Sequence, residues 1–142
     1  MSLLILLVLG MLMPPTDTAT LDLTITGLKG ERGSLNLALF PRAGNFPEID
    51  TDTYTARIEV TAQTMTYRFT NLPRGRYALA VYQDLNNNGK MDKNLWGVPT
   101  EPYAFSGGAV AKWKAPDFAD AAFELKEAEL SLIVTPKTWG EW

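Results

Sequence analysis

Apolar and polar residues alternate with a period of two along most of the chain from Leu21 onward. Leu21, Leu23 and Ile25 are separated by polar residues, the pattern of a strand with one buried face. Six more segments repeat this alternation, and the 3.6-residue spacing of a helix is absent. The chain is therefore predicted to be all-β, an antiparallel sandwich of about seven strands. The predicted strands are residues 21–25, 35–39, 58–60, 65–69, 77–81, 121–125 and 130–134.

Turn-forming residues between these segments predict the connections. Strands 21–25 and 35–39 are predicted to form a hairpin across the glycine-containing segment 27–33, and strands 58–60 and 65–69 a second hairpin. Asn71, Pro73 and Gly75 predict a tight turn into strand 77–81, where small Ala78 and Ala80 are typical of a central strand. Residues 84–120 show no sustained period, so we expect one long ordered loop that is functional or organised by an ion.

The N-terminus predicts export. Residues 3–13 are an uninterrupted apolar run, too short to span a bilayer, and a polar stretch follows Pro14 and Pro15. We interpret residues 1–19 as a signal peptide and 20–136 as the β domain, with 137–142 as a flexible C-terminal tail. The alternative is an N-terminal membrane anchor. The expected location is the periplasm or the extracellular space, with no stable membrane span after cleavage.

Composition narrows the possible chemistry. The 142 residues, 46% of them hydrophobic, suffice for one core, and the net charge of −3 is scattered, which argues against a nucleic-acid partner. The chain has no cysteine and no histidine, which excludes thiol nucleophiles, histidine bases and zinc sites built from these residues. We therefore expect no enzymatic activity. A carboxylate pair such as Glu101 and Asp120 acting as a glycosidase is the one catalytic alternative.

The segment DLNNNGKMD resembles the first half of a calcium loop. Calcium ligands in such loops alternate along the chain, and glycine allows the sharp turn. The position that carries a bidentate glutamate in an EF-hand is Leu95, so this is not an EF-hand. A carboxylate from the following loop would have to replace it, and Glu101, Asp117 and Asp120 are unranked candidates. The alternative is a plain β-turn. The predicted Ca²⁺ ligands are Asp84, Asn86, Asn88, the carbonyl of Lys90, and Asp92.

The long loop is rich in aromatic residues, which could form a surface for a sugar or a protein partner. The alternative is that they pack as a satellite core beneath the loop, for all but Trp113, which lies between Lys112 and Lys114. The residues of this possible ligand surface are Trp96, Glu101, Tyr103, Phe105 and Trp113.

Three segments resemble a bacterial family of domains of unknown function, numbered 2141. These are NLPRGRYALAVYQDLNNNGKMD, WGVPTEPYAFS and FADAAFEL. The resemblance covers about residues 21–134 and implies export and a single β domain, immunoglobulin-like or prealbumin-like, without implying an activity. The tail 137–142 departs from the usual ending of the family. The matching motif positions are Asn71, Leu72, Pro73, Gly75, Tyr77, Asp84, Asn86, Asn88, Gly89, Asp92, Gly97, Pro99, Glu101, Tyr103, Phe105, Phe118, Ala121, Ala122 and Phe123.

Three functions remain open from the sequence. The first is a non-enzymatic exported module in which calcium orders the long loop and presents a surface for an envelope component, glycan or protein. The second is a carrier or binding module for a small apolar ligand held by the loop aromatics. The third is a carboxylate-based glycan hydrolase. Oligomeric state is left open.

Overall fold

The computed structural model describes residues 17–111 and 114–142, and shows a nearly all-β protein in which two sheets pack face to face. One sheet has three strands in the order β4-β1-β8. The other has β3-β2-β5-β6, and β7 pairs with β5 beside β6. The strands are β1 Thr18–Ile25, β2 Ser34–Phe40, β3 Tyr54–Glu59, β4 Met65–Pro73, β5 Gly75–Asp84, β6 Tyr103–Phe105, β7 Ala122–Leu125 and β8 Glu129–Val134. A short helix, α1, covers Phe118–Ala121, and single 3₁₀ turns cover Ser106–Gly108 and Trp139–Glu141.

The core lies between the sheets and is built from the predicted alternation. Leu21, Leu23 and Ile25 of β1 are buried against leucines of β2 and β5, such as Leu37 and Leu79. Burial of one face of each strand is the main stabilising term of a sandwich. The all-β class and the two-layer architecture follow from that pattern.

The number and direction of the strands differ from the prediction. The described residues contain eight strands, because β6 forms within the predicted long loop. The sandwich is also not wholly antiparallel, since β1 and β8 run parallel. Leu21 lies opposite Leu130 and Ile25 opposite Val134, so the buried residues of the two strands match in this direction.

Neither predicted hairpin forms. β1 and β2 lie in different sheets, as do β3 and β4, so each connection crosses from one layer to the other. Period-two alternation shows which side chains face the core, but strands from opposite sheets face the same core. The crossing between β1 and β2 is filled by buried Leu28, whose N–H donates to the carbonyl of Gln63 at 3.0 Å.

The crossing between β4 and β5 is fixed by Tyr77. One residue, Arg74, separates the two strands, and the buried Tyr77 donates its hydroxyl to the carbonyl of Pro73. This is the geometry of a tyrosine corner, in which a phenol bonds to the backbone a few residues upstream. Burial raises the pKa of Tyr77, so the phenol remains a donor at neutral pH.

The Tyr77→Phe variant is expected to lower the free energy of unfolding by about 1 kcal/mol, because one carbonyl loses its partner while the ring keeps its packing. Urea denaturation measures this. Tyr54→Phe is the matched control, since Tyr54 is an exposed phenol on β3. Equal stability of the Tyr77→Phe variant and the wild type would contradict the role of the corner.

The structure places the tail 137–142, expected to be flexible, against β6. The backbone of Lys137 exchanges two hydrogen bonds with Tyr103, at 2.9 and 3.0 Å. Glu141 bonds to Lys29 at 2.6 Å, and the Trp142 ring lies 5.7 Å from that of Tyr103. β6 has a free edge, and the tail forms hydrogen bonds with the backbone N–H and C=O of Tyr103 on that edge.

In the described part of the chain, no helix has the length and apolar character needed to cross a membrane. The predicted signal segment falls almost entirely outside the described residues.

Candidate ligand-binding site

The 84–92 loop begins where β5 ends and curls around Asp84. This carboxylate is 0% exposed. Its Oδ2 accepts the N–H of Gly89 at 2.8 Å, and its Oδ1 accepts the N–H of Asn88 at 3.2 Å. Gly89 has φ +81°, so it provides the left-handed turn predicted for it.

Asp92 closes the loop from the other end. The side-chain amides of Asn86 and Asn88 each donate to Asp92 at 2.7 Å. The oxygens of the two amides accept the backbone N–H of Asn88 and Lys90, at 3.2 and 3.1 Å. The structure therefore brings together the side chains of Asn86, Asn88 and Asp92, whereas Asp84 bonds to backbone N–H groups of the loop.

In the structure these groups are joined to one another by hydrogen bonds. A calcium ligand must present oxygen, but Asn86 and Asn88 turn their nitrogens toward Asp92. Arg57 lies 3.4 Å from Asp84 and supplies the positive charge beside that carboxylate. Within the described ranges, no group of three or more acidic side chains is placed to hold a metal ion. The loop is held by hydrogen bonds among its own groups.

Glu101 fastens the loop to the sheet. Only 4% of Glu101 is exposed, and its two oxygens accept the N–H groups of Leu85 at 3.0 Å and Asp92 at 3.1 Å. These are the two ends of the loop, so one carboxylate holds both. Glu101, predicted as part of a ligand surface, is instead buried beneath the loop.

Hydrogen bonds from Asn88 first and Asn86 second hold the pKa of Asp92 below its ordinary value of 3.8. A depressed carboxylate pKa contributes stability above the unfolded-state pKa, and that contribution is lost as the pH falls through the folded-state pKa. We expect Asn88→Ala to raise the Asp92 pKa toward 3.8, and Asn86→Ala to raise it less. NMR titration of the Asp92 carboxyl carbon measures both, and an unchanged pKa in Asn88→Ala would contradict the assignment.

A pocket covers the outer face of the five-stranded sheet, next to this loop. Cross-strand register places Thr55, Ala38, Ala80 and Phe105 in one row across β3, β2, β5 and β6. The adjacent row is Arg57, Asn36, Tyr82 and Tyr103. All eight residues line the pocket. Ala38 and Ala80 have small side chains, so they leave a depression at the centre of the floor. Phe105 and Tyr103 form its aromatic edge, and Arg57 and Asn36 form its polar edge.

Four segments form the walls of this partly open cavity, whose volume is about 750 Å³. Pro47 and Ile49 come from the loop before β3, and Gly89, Met91 and Pro99 come from the 84–92 loop and its continuation. Ala115 and Trp139 contribute from later in the chain. The volume lies within the range of small-molecule sites. The predicted calcium loop thus forms one wall of a pocket.

Tyr82 lies where the pocket floor meets the loop. Burial raises the pKa of Tyr82, and the neighbouring carboxylates of Asp84 and Glu101 raise it further because they oppose a phenolate charge. Its hydroxyl is therefore a neutral hydrogen-bonding group at neutral pH.

The aromatic residues of the long loop lie in three different environments: the pocket, a small satellite core and the exposed surface. Tyr103 and Phe105 line the pocket. Phe105 and Phe118 also pack with Phe46, Ala78 and Ala121, which confirms a satellite core for these two aromatics.

For Trp96 the satellite-core prediction is wrong, since 89% of it is exposed beside the fully exposed Leu95. Asn94 holds that turn outward by accepting the N–H groups of Trp96 and Val98. Trp113 lies outside the described residues.

Asn36, Ala38 and Arg57 line the pocket but were not predicted as site residues. The available signal was small residues at the outward positions of neighbouring strands, Ala38 on β2 and Ala80 on β5. This signal is useful only when β2 and β5 are known to pair. The sequence instead predicted that strand 35–39 pairs with strand 21–25.

Residues 23–132 match the family described as "Uncharacterized protein conserved in bacteria (DUF2141)". The chain belongs to this family. The match spans both sheets and includes the 84–92 loop and the pocket floor, so the resemblance seen in the motifs is confirmed for the DUF2141 family. No curated protein and no solved structure matches the chain significantly.

Proposed function

We propose that this DUF2141 protein is an exported, non-enzymatic binding module that holds a small, largely apolar ligand over the outer face of the five-stranded sheet. The observation that carries the proposal is the cavity of about 750 Å³, floored by Ala38 and Ala80 and bordered by Phe105. Exported location rests on the apolar N-terminal run, and the tyrosine corner at Tyr77 supports an immunoglobulin-like or prealbumin-like sandwich.

The pocket suits binding better than catalysis. A catalytic carboxylate needs a free oxygen facing the substrate, and both oxygens of Glu101 already accept backbone N–H groups. The floor offers an apolar surface with a few polar groups at one side, the usual composition of a ligand site. The walls come from loops fixed by their own hydrogen bonds, so most of the site is formed before a ligand arrives.

Filling the pocket tests this proposal. Ala80→Trp places an indole on the floor, and we expect it to weaken binding of decanol at least about tenfold in isothermal titration calorimetry, because the ligand loses the volume and apolar contact it needs. Thr66→Trp is the matched control, since Thr66 is exposed on β4 of the other sheet. Equal affinity of the wild type and Ala80→Trp for decanol would contradict the proposal.

A second candidate is the calcium-ordered surface for an envelope component, glycan or protein. The observations in its favour are the convergence of Asn86, Asn88 and Asp92 and the exposure of Leu95 and Trp96. Calcium binding would require both amides to turn their oxygens inward. A melting temperature that rises with millimolar calcium in the wild type, but not in the Asp84→Ala, Asp92→Ala double variant, would support it. Identical melting curves in EDTA and calcium would leave the loop as a structural wall.

A further inference from the structure

The charged side chains of the pocket are all of one sign. Among the described residues that line it, Arg57, Lys93 and Lys114 are basic and none is acidic. The whole chain has 13 basic and 16 acidic residues, so the positive charge of the lining is opposite in sign to the net charge of the protein. In the described part of the chain, Lys93 and Lys114 form no ion pair. Uncompensated positive charge at a concave apolar site favours an anionic ligand.

The polar edge of the floor also carries a donor without an acceptor. The side-chain nitrogen of Asn36 is buried and has no hydrogen-bond partner among the described residues. Buried polar groups are nearly always paired, so an orphan of this kind within a pocket indicates a group that a ligand satisfies. Asn36 lies directly opposite Arg57 across β2 and β3.

Arg57 has N–H donors that make no hydrogen bond in the described part of the chain. Its Nη2 makes two long contacts, 3.4 Å to Asp84 and 3.4 Å to Asn87, and 44% of its side chain is exposed. Its other nitrogens have no partner in the described ranges. These free donors belong to a side chain that lines the pocket, so they are available to a ligand there.

Building on the proposed binding function, we propose that the ligand is an amphiphile with an anionic head group. The head accepts hydrogen bonds from Arg57 and Asn36 and lies near the ammonium groups of Lys93 and Lys114. The apolar body lies on Ala38 and Ala80. The donor-only side chains of Arg57, Lys93 and Lys114 and the NH2 group of Asn36 suit this head because a carboxylate or phosphate oxygen is purely an acceptor.

Three ligands with chains of nine or ten alkyl carbons test the head-group preference in the purified protein. Decanoate, decanol and decyltrimethylammonium carry negative, neutral and positive heads, and calorimetry at neutral pH and low salt gives their affinities. We expect decanoate to bind about tenfold more tightly than decanol, with the cation weakest. Added salt should narrow the difference, because the lysine contributions are screened.

Single-charge variants locate the effect. Arg57→Gln should lower decanoate affinity about tenfold, and Lys93→Gln and Lys114→Gln up to about fivefold each, and in both lysine variants the loss should be larger for decanoate than for decanol. Arg57 contacts Asp84, so Arg57→Gln could lower affinity by loosening the 84–92 loop. The two lysines form no ion pair in the described part of the chain, so their variants measure the charge effect without that complication. Lys126→Gln is the matched control, since Lys126 is exposed between β7 and β8 and does not line the pocket.

The outcomes separate this inference from the proposed function. Equal binding of all three ligands, lost in Ala80→Trp, would overturn the anionic head group and leave the apolar pocket intact. Tightest binding of the cation would also overturn it. No binding of any of the three would overturn both.

Discussion

The Gly33→Ala variant is expected to lower the free energy of unfolding by more than about 3 kcal/mol, one of the largest effects of a single methyl group in this chain. Gly33 has φ +75°, a region that L residues rarely adopt. An added Cβ would lie within 2.9 Å of both the Asp84 carbonyl carbon and Leu85 Cα, and nearer still to the Asp84 carbonyl oxygen. These are backbone atoms at the entrance to the 84–92 loop, so relief requires β2 and β5 to separate.

Gly30→Ala is the control that isolates the clash. Gly30 has a similar φ of +67°, but an added Cβ would meet nothing nearer than the Arg32 side chain at 3.8 Å. It should therefore show only the backbone strain, about 1 kcal/mol. Guanidinium denaturation of both variants measures the difference. Equal losses in Gly30→Ala and Gly33→Ala would show that φ alone, and not the approach of β2 to Asp84, requires glycine at position 33.

The Asp84→Ala variant is expected to lose about 2 to 4 kcal/mol of unfolding free energy when measured in EDTA. The fully buried carboxylate accepts the backbone N–H groups of Gly89 and Asn88 and lies beside Arg57. Its removal leaves two backbone donors and a guanidinium without their acceptor. Because Gly89 and Met91 form a wall of the pocket, decanol affinity should fall together with stability.

Two further variants distinguish this explanation from a general effect of charge. Asp92→Ala removes the other carboxylate of the same loop, which is more exposed, and should cost clearly less stability than Asp84→Ala. Asp84→Asn keeps one acceptor oxygen and should fall between wild type and Asp84→Ala. A loss in Asp92→Ala as large as that in Asp84→Ala would contradict the central role of Asp84 in the loop.

The buried faces of the strands follow directly from the sequence, but their pairing does not. The alternation in residues 21–25 and 130–134 correctly places Leu23 and Leu132 on inward-facing sides, because burial depends on local period. Which strands pair depends on contacts distant in sequence, such as Leu37 of β2 opposite Val81 of β5. Short connections favour hairpins in isolation, and the two-layer packing overrides that preference here.

The 84–92 loop was predictable as a convergent turn because its polar residues alternate within nine positions of sequence. What the sequence did not decide is the direction of each amide, and in the structure the nitrogens of Asn86 and Asn88 face Asp92. The pocket was not predictable at all from single segments. Arg57, Asn36 and Tyr82 come from three strands whose adjacency is set by the tertiary fold.

The binding proposal is tested most directly by two-dimensional NMR of the ¹⁵N-labelled protein titrated with decanol, which carries no charge. Binding in the pocket should give saturable shifts at the amides of Ala38, Ala80 and Phe105 and in the walls around Met91 and Pro99, with the three-stranded sheet unaffected. Shifts concentrated on the outer face of β1 and β4, or no saturable shift at any amide, would contradict a ligand pocket on the five-stranded sheet.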